Sequence, residues 1–561
     1  MSLASEVLAR RMRLPRAMTH DVACERDLAV TMDDGAVLLA DRYVAHARSA
    51  EPQPTVVVRS PYGRRQAFGI MFGRLLAERG LQVLVQSVRG TFGSDGDFSP
   101  FDERADGLAT LRWLREQPWH AGGIGMIGPS YLGLVQWAVA PEAGDDLAAL
   151  SIQVSASQFH GQAYAGGALS LETAASWLAL VGTQERRLAL LAMLRAVRRL
   201  PPLLAQLPID ELDVLATGAE VAWFRDGLAS TEREDAYWVQ RDFAAGVARV
   251  AAPVQLIGGW YDIFLPWMLE DYAALVRAGR RPQLQIGPWT HTAPGLVATG
   301  LREGLGWLRA RLLGDERLLR DAGVRVYVTG ERTGGGWREL ASWPPPRTGE
   351  RHLWLAAGGA LQDAPPSEQH TGGDRYRYDP ADPTPSLGGP VLLAREPVLD
   401  NRPLEARPDV LTYTSAPLPE PLEAIGPVRV ELHVRASSPH FDLFARVCDV
   451  DREGASWNVC DALLRVEPAP VQPSADGAVS VSFDLWPIAH RFAAGHRLRL
   501  QVSSGAHPRY LRNPGTGADP LTASALSAVD IELLHDAAHP SALVLPTIND
   551  APDRGEARLA A

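Results

Sequence analysis

Along the first 150 residues the apolar and polar positions switch repeatedly between two periods. "PTVVVRSPY" (54–62) and "LQVLVQSVRG" (81–90) are short β-branched runs that end in turns, and between them "FGIMFGRLLAERG" (68–80) has helical spacing and closes on Gly80 as a C-cap. "DERADGLATLRWLREQPW" (102–119) predicts a second helix with Leu108, Leu111, Trp113 and Leu114 on its apolar face, and "GGIGMIG" (122–128) predicts the next strand. Alternation of this kind implies a parallel sheet with helices on both faces. From about Gln158 to Phe243 the strand signal disappears. "LETAASWLALVGTQERRLALLAMLRAVRRLPPLLAQL" (171–207) reads as continuously helical, and "EVAWFRDGLASTEREDAYWVQRDF" (220–243) extends it. Strands return in "APVQLIGGW" (252–260) and "RPQLQIGPW" (281–289), on either side of the helical "FLPWMLEDYAALVRAG" (264–279). After the strand-like "VRVYVTG" (324–330) and the proline-rich "SWPPPRTGE" (342–350), helices nearly vanish. "RHLWLAA", "VRVELHVRAS", "FDLFARVCDV", "AVSVSFDLWPIA" and "HRLRLQVSSG" are short strands divided by Pro/Gly turns, which predicts a β-sandwich or jelly roll.

The expected fold class is therefore α/β, organised as residues 1–155 (first part of an α/β core), 156–245 (helical cap insertion), 246–346 (second part of the core) and 347–561 (all-β domain). A chain of 561 residues is too long for one ordinary core, consistent with that division. Composition then removes several function classes. All 55 basic residues are arginine, so a Schiff-base lysine, a lysine-bound pyridoxal phosphate and a Walker-type lysine are excluded. The net charge of −11, with no dense basic stripe, argues against nucleic acid as the main partner. Cys24, Cys448 and Cys460 form neither a disulfide framework nor a zinc spacing. The N-terminal stretch lacks a signal-peptide core, and no run of eighteen uncharged apolar residues exists, so a cytoplasmic protein without membrane contact is expected.

Chemistry in a parallel α/β sheet takes place at the carboxyl ends of the strands. Three such ends carry reactive side chains: Ser130 after "GMIG", Asp262 after "VQLIGGWY" and His291 after "LQIGPWT". Serine, acid, histidine is the chain order of the α/β-hydrolases. Serine needs an adjacent base to take its proton, histidine has the right pKa to do so, and a carboxylate fixes the imidazole tautomer. In Gly128-Pro129-Ser130-Tyr131-Leu132-Gly133 the second glycine comes one residue later than in G-x-S-x-G. Taken alone, the stretch reads equally as an elbow or as a glycine-rich turn. "GIGMIG" formally matches G-x-G-x-x-G, but its glycines bracket the strand and no helix opens at the right place. "HDAAH" (535–539) runs into Pro540 and presents no helical pair of rings, so no metal is assigned. Asp95 and Asp97 read as Asx-turn residues of a glycine-rich loop.

Together these residues resemble the cocaine esterase and X-prolyl dipeptidyl-peptidase-like serine hydrolases (the CocE/NonD family), which also include α-amino-acid ester hydrolases. That family writes its elbow as G-x-S-Y-x-G, matched by "GPSYLG". Its acid lies in "GGWYD" (258–262) and its base in "GPWTH" (287–291). Similarity extends over "MDDGAVLLADRY", "VRGTFGSDGDF", "EQPW", "GHRLRLQVSS" and "RNPGTG", in one order along nearly the whole chain. The resemblance implies an α/β-hydrolase core with an inserted helical cap and a C-terminal jelly roll. It also implies an oxyanion hole made by the hydroxyl of Tyr62, in a "PY" dipeptide after a strand, and the backbone N–H of Tyr131.

The resulting expectation is a serine hydrolase that cleaves an ester or amide of a small molecule through Ser130, Asp262, His291 and an acyl-enzyme, without cofactor or metal. An X-Pro dipeptidyl-peptidase-like aminopeptidase stays open within the resemblance. A different class would be a carbohydrate-binding jelly roll on an inactive hydrolase scaffold, against which the intact Ser/Asp/His set speaks. Trp260, Phe264 and Trp289, beside the triad residues, are expected in the substrate pocket together with Trp177 of the cap. Trp223, Phe224 and Trp238 are expected in the cap's core.

Overall fold

The computed structural model describes residues 2–186, 188–330, 335–346, 348–368, 372–393, 396–468 and 473–548. Ten strands among the described residues build the first sheet: β1 (Val22–Thr31), β2 (Val37–Ala45), β3 (Gln53–Ser60), β4 (Gln82–Ser87), β5 (His120–Pro129), β6 (Leu147–Gln153), β7 (Val254–Tyr261), β8 (Gln283–Thr290), β9 (Val324–Gly330) and β10 (Gly336–Leu340). Their spatial order is β1-β2-β4-β3-β5-β6-β7-β8-β9-β10; the two pairings made by β2 and the pairing of β9 with β10 are antiparallel, and all from β4 to β9 are parallel. Val56, Val57 and Val58 on β3 and Val83, Leu84 and Val85 on β4 are all buried, because helices cover both faces and leave no polar side to alternate with. One covering helix is Tyr131–Val139, every residue of which is buried.

Between β6 and β7 the described chain is helical, with principal helices at Leu171–Val181, Ala189–Leu204 and Ala222–Ala229. The long run expected to be one continuous helix is broken. Its first helix stops at Gly182, where Thr217 of another segment comes so close that an added Cβ would lie 2.9 Å from its side chain. The region predicted as helix over 68–80 is also irregular: a π-turn at Gly69–Arg74 joins two short α-segments and brings Gly69 and Gly73 against the Tyr43 ring.

Beyond residue 347 two sheets face each other. One is built around strand 422–436, which pairs with 479–492 on one side and with 529–534 and 542–548 on the other. The second contains 411–415, 497–503, 441–450 and 456–466 in that order. The first sheet reaches this sandwich directly, since β9 pairs in parallel with residues 490–491. Among the described residues no helix is long and apolar enough to cross a membrane.

Asp271, on the helix Leu265–Arg277 that follows β7, accepts hydrogen bonds from the Ser157 N–H (2.8 Å) and Ser157 Oγ (2.5 Å). Burial pushes its carboxyl up to about 8. The fold thus favours the neutral acid, and the associated stability is complete below the unfolded pKa of about 3.9 and is lost as pH rises from there through about 8. Thermal melts should therefore show Asp271→Asn gaining on the parent steadily between pH 5 and pH 8.5; parallel curves would refute the assignment.

Candidate active site

Ser130 follows the end of β5 with φ 57° and ψ −123°, a backbone conformation that costs a non-glycine residue energy and that turns the strand sharply into the helix Tyr131–Val139. Its N–H donates to the Gln153 carbonyl (2.8 Å) at the end of β6, and its carbonyl accepts from the Gly133 N–H (2.8 Å). Sterics explain the late glycine. A Cβ at Gly128 would lie 2.3 Å from the Leu132 Cβ, and one at Gly133 would lie 2.4 Å from the Ser155 Cβ. Gly133 is therefore where the helix crosses the segment after β6, and the position one residue earlier is not.

The elbow rests on a buried polar chain that was not anticipated from the sequence. Tyr131 Oη donates to Glu103 Oε1 (2.6 Å) and accepts from the Phe101 N–H (3.0 Å). Glu103 Oε2 lies 2.7 Å from Arg59 Nη1, and Arg59 Nε donates to Gln86 Oε1 (2.8 Å). Burial raises the Glu103 carboxyl while the Arg59 guanidinium and the Tyr131 hydroxyl pull it down. Glu103→Ala leaves Arg59 buried without its counter-charge and should cost about 3–5 kcal/mol of stability, whereas Tyr131→Phe loses one hydrogen bond and should cost about 1 kcal/mol. Denaturant titration of both variants checks the ordering. The Tyr131 backbone N–H, at the first turn of its helix, has no intrahelical partner.

Asp262 and His291 meet as their strand ends predict. His291 Nδ1 and Asp262 Oδ1 are 2.6 Å apart, and Asp262 Oδ2 accepts from the Phe264 N–H (3.1 Å). Both side chains are buried, Asp262 completely. The hydrogen bonds among the described residues do not include one from Ser130 Oγ to His291; such bonds often tighten only with substrate in place.

Ser130 opens onto a cleft whose empty space, its solvent-filled mouth included, is about 780 Å³. Tyr62, Tyr131, Trp177 and Phe264 line it, as expected, and so do Trp223, Phe224 and Trp238, which were expected in the cap's core. Trp260 and Trp289 do not line it. Trp260 turns toward β9, its Nε1 donating to the Tyr327 carbonyl (2.6 Å) and its ring meeting Trp343. The Trp289 ring lies over Gly287 and Gly295 and meets Trp337. Adjacency in sequence to a reactive residue sets where a backbone is and leaves the ring direction to packing. Phe101, stacked on Trp177, and Phe159, tilted against Phe264, carried no signal in the sequence; meeting edge to face, they complete an aromatic wall that reaches His291 through Phe264. Tyr62 Oη accepts from Trp177 Nε1 (3.1 Å), and burial pushes its hydroxyl up to about 12, so the phenol keeps its proton near neutrality.

Outside this site, Asp95 holds the loop by accepting from the Val37 N–H. His535 and His539 pair with different carboxylates, Asp374 and Asp536. Among the described residues no three His, Cys, Asp or Glu side chains are grouped to hold a metal ion.

A parallel sheet with a strained serine at one strand end and a buried Asp–His pair at two others defines an α/β-hydrolase, and the chain is a serine hydrolase. Residues 34–293, which contain Ser130, Asp262 and His291, match the model of the X-Pro dipeptidyl-peptidase (S15) family, and residues 319–544 match the X-Pro dipeptidyl-peptidase C-terminal non-catalytic domain. The chain belongs to this family. It is 30% identical over 577 residues to the cocaine esterase of Rhodococcus sp. (strain MB1 Bresler), covering 93% of this chain and 98% of that one. Its fold is shared with an aminopeptidase from the marine sediment archaeon Thaumarchaeota archaeon (21% identity, TM-score 0.79) and with an α-amino acid ester hydrolase (22% identity, TM-score 0.78); each match covers 95% of this chain and 98% of the other.

Proposed function

We propose that the protein hydrolyses esters with an apolar, uncharged acyl group through an acyl-enzyme on Ser130. His291 takes the serine proton and returns it to the leaving alcohol, and Asp262 holds the imidazole tautomer and stabilises the imidazolium. The developing oxyanion accepts hydrogen bonds from Tyr62 Oη and the Tyr131 N–H. Trp177 supports this role: by donating to Tyr62 Oη it leaves the phenolic proton for the substrate.

The observation that carries the substrate class is the chemistry of the cavity. Among the described residues lining it, none carries a charged side chain, and Phe101, Phe159, Trp177, Trp223 and Phe264 contribute aromatic rings. A free peptide ammonium buried there would lack the counter-charge it needs, whereas an aryl or alkyl acyl group would gain apolar contact. Initial rates on p-nitrophenyl benzoate, p-nitrophenyl acetate and alanyl-prolyl-p-nitroanilide test this. The benzoate should give the highest kcat/KM, and preference for the prolyl anilide would transfer the reading to an aminopeptidase.

Tyr62→Phe should lower kcat by about 10²–10³ with KM nearly unchanged, because the hydroxyl meets a full negative charge only in the transition state. A burst experiment giving the acylation rate for one activated ester in both proteins checks it. A change confined to KM would remove Tyr62 from the oxyanion hole.

A further inference from the structure

The β-sandwich touches the reactive acid itself. Trp486, on strand 479–492, donates its indole N–H to the main-chain carbonyl of Asp262 (3.1 Å) across 224 residues of sequence. The same carbonyl accepts from the Leu265 N–H (3.3 Å), so both its acceptor positions are used. The Asp262 N–H donates to the Gly259 carbonyl (3.0 Å), and Asp262 Oδ2 accepts from the Phe264 N–H. Every one of these other anchors comes from the acid's own loop. Apart from His291 itself, Trp486 is the hydrogen-bonding tie to Asp262 that comes, among the described residues, from outside that loop.

Strand geometry shows how the tie is made. Strand 422–436 places Val428 opposite Leu485 and Gly426 opposite Ile488, so Trp486 and Pro487 together oppose the single residue Pro427. This is a bulge, which breaks the two-residue alternation and re-aims a side chain. Trp486 is buried, edge-on to Trp267 (ring centres 5.8 Å apart) on the helix after Asp262. The Arg509 guanidinium covers its ring at 5.4 Å and is itself held by Asp461, which also pairs with Arg446 (2.8 Å). An ion-paired ladder in the sandwich thus fixes the ring whose N–H fixes the acid loop.

We propose that Trp486 is a positioning residue for the hydrolysis: the β-sandwich sets the orientation of Asp262, and through it His291, by a bulge-directed indole hydrogen bond. This rests on the reading of Asp262 as the acid of the triad. The carboxylate has to meet His291 Nδ1 at 2.6 Å, and a loop free to rotate at its carbonyl would meet it less often. The effect belongs in kcat, since Trp486 is not among the residues lining the cavity that holds the acyl group.

The test replaces Trp486 by Phe and, separately, by β-(3-benzothienyl)alanine, which keeps the bicyclic shape and exchanges N–H for sulfur. Both variants should lose about three- to tenfold in kcat on p-nitrophenyl benzoate with KM held, and the isostere should keep the parental melting temperature. Wild-type kcat in the isostere would overturn the proposal, even if the Phe variant folds poorly. In an Asp262→Asn background the isostere should cost nothing further, since it acts through Asp262; additive losses would assign Trp486 to packing alone. Near-parental activity of Asp262→Asn by itself would instead overturn the triad reading, so the two failures are separable.

Discussion

Ser130→Ala should lower kcat on an activated ester by about 10⁶ and leave the fold intact. The magnitude follows from the loss of the only atom able to form the acyl-enzyme; what remains is the weak catalysis of the oxyanion donors acting on a water molecule. Alanine retains the Cβ, so it bears the same cost at φ 57° as serine, and the backbone bonds to Gln153 and Gly133 do not involve the side chain. The melting temperature should therefore move little while activity disappears. A fluorophosphonate probe should label the parent at Ser130 and fail to label the variant. Labelling elsewhere, with turnover retained in the alanine protein, would end the assignment.

Asp262→Asn is the second large effect, a fall of about 10⁴ in kcat at neutral pH. The carboxylate accepts at Oδ1 from His291 Nδ1 and at Oδ2 from the Phe264 N–H, so an isosteric amide can satisfy only one of them with oxygen. If its oxygen stays on the Phe264 N–H, its NH₂ faces Nδ1 and drives the imidazole proton to Nε2. His291 then has no lone pair with which to accept the serine proton. Steady-state rates at neutral pH, alongside a melt showing a folded variant, decide the matter. A loss below about tenfold would place the acid elsewhere.

Much of the site was legible along the chain because its signals are local. Ser130, Asp262 and His291 each end a short apolar run, and strand ends can be located from period and turn chemistry without knowing what lies opposite. The glycines of the elbow report a backbone constraint that any chain making this turn must meet. Even there, the reason Gly133 replaces the expected spacing became visible only with Ser155 beside it. The cap shows the opposite case. Helical spacing runs through 171–207, yet the first helix ends at Val181, and Gly182 packs against Thr217, a contact that periodicity does not encode.

Ring directions were the part least available. Trp260 and Trp289 are neighbours of triad residues in the chain and point away from the cavity, while Trp223 and Trp238, far from any triad residue, line it. Glu103 and Trp486 carried no motif at all. Glu103 is one acidic residue before a helix until Arg59 and Tyr131 close on it, and Trp486 is one aromatic residue in a strand until a bulge turns it onto Asp262. By itself, then, the amino-acid sequence determined the layered architecture and the strand ends that carry Ser130, Asp262 and His291, in that order. These depend on backbone periodicity and on conformational demands set within a few residues. Tertiary structure alone decided which aromatic rings wall the cavity, what braces the elbow from behind and which strand of the sandwich meets the Asp262 carbonyl, because each is a side-chain contact between segments brought together only when the layers pack.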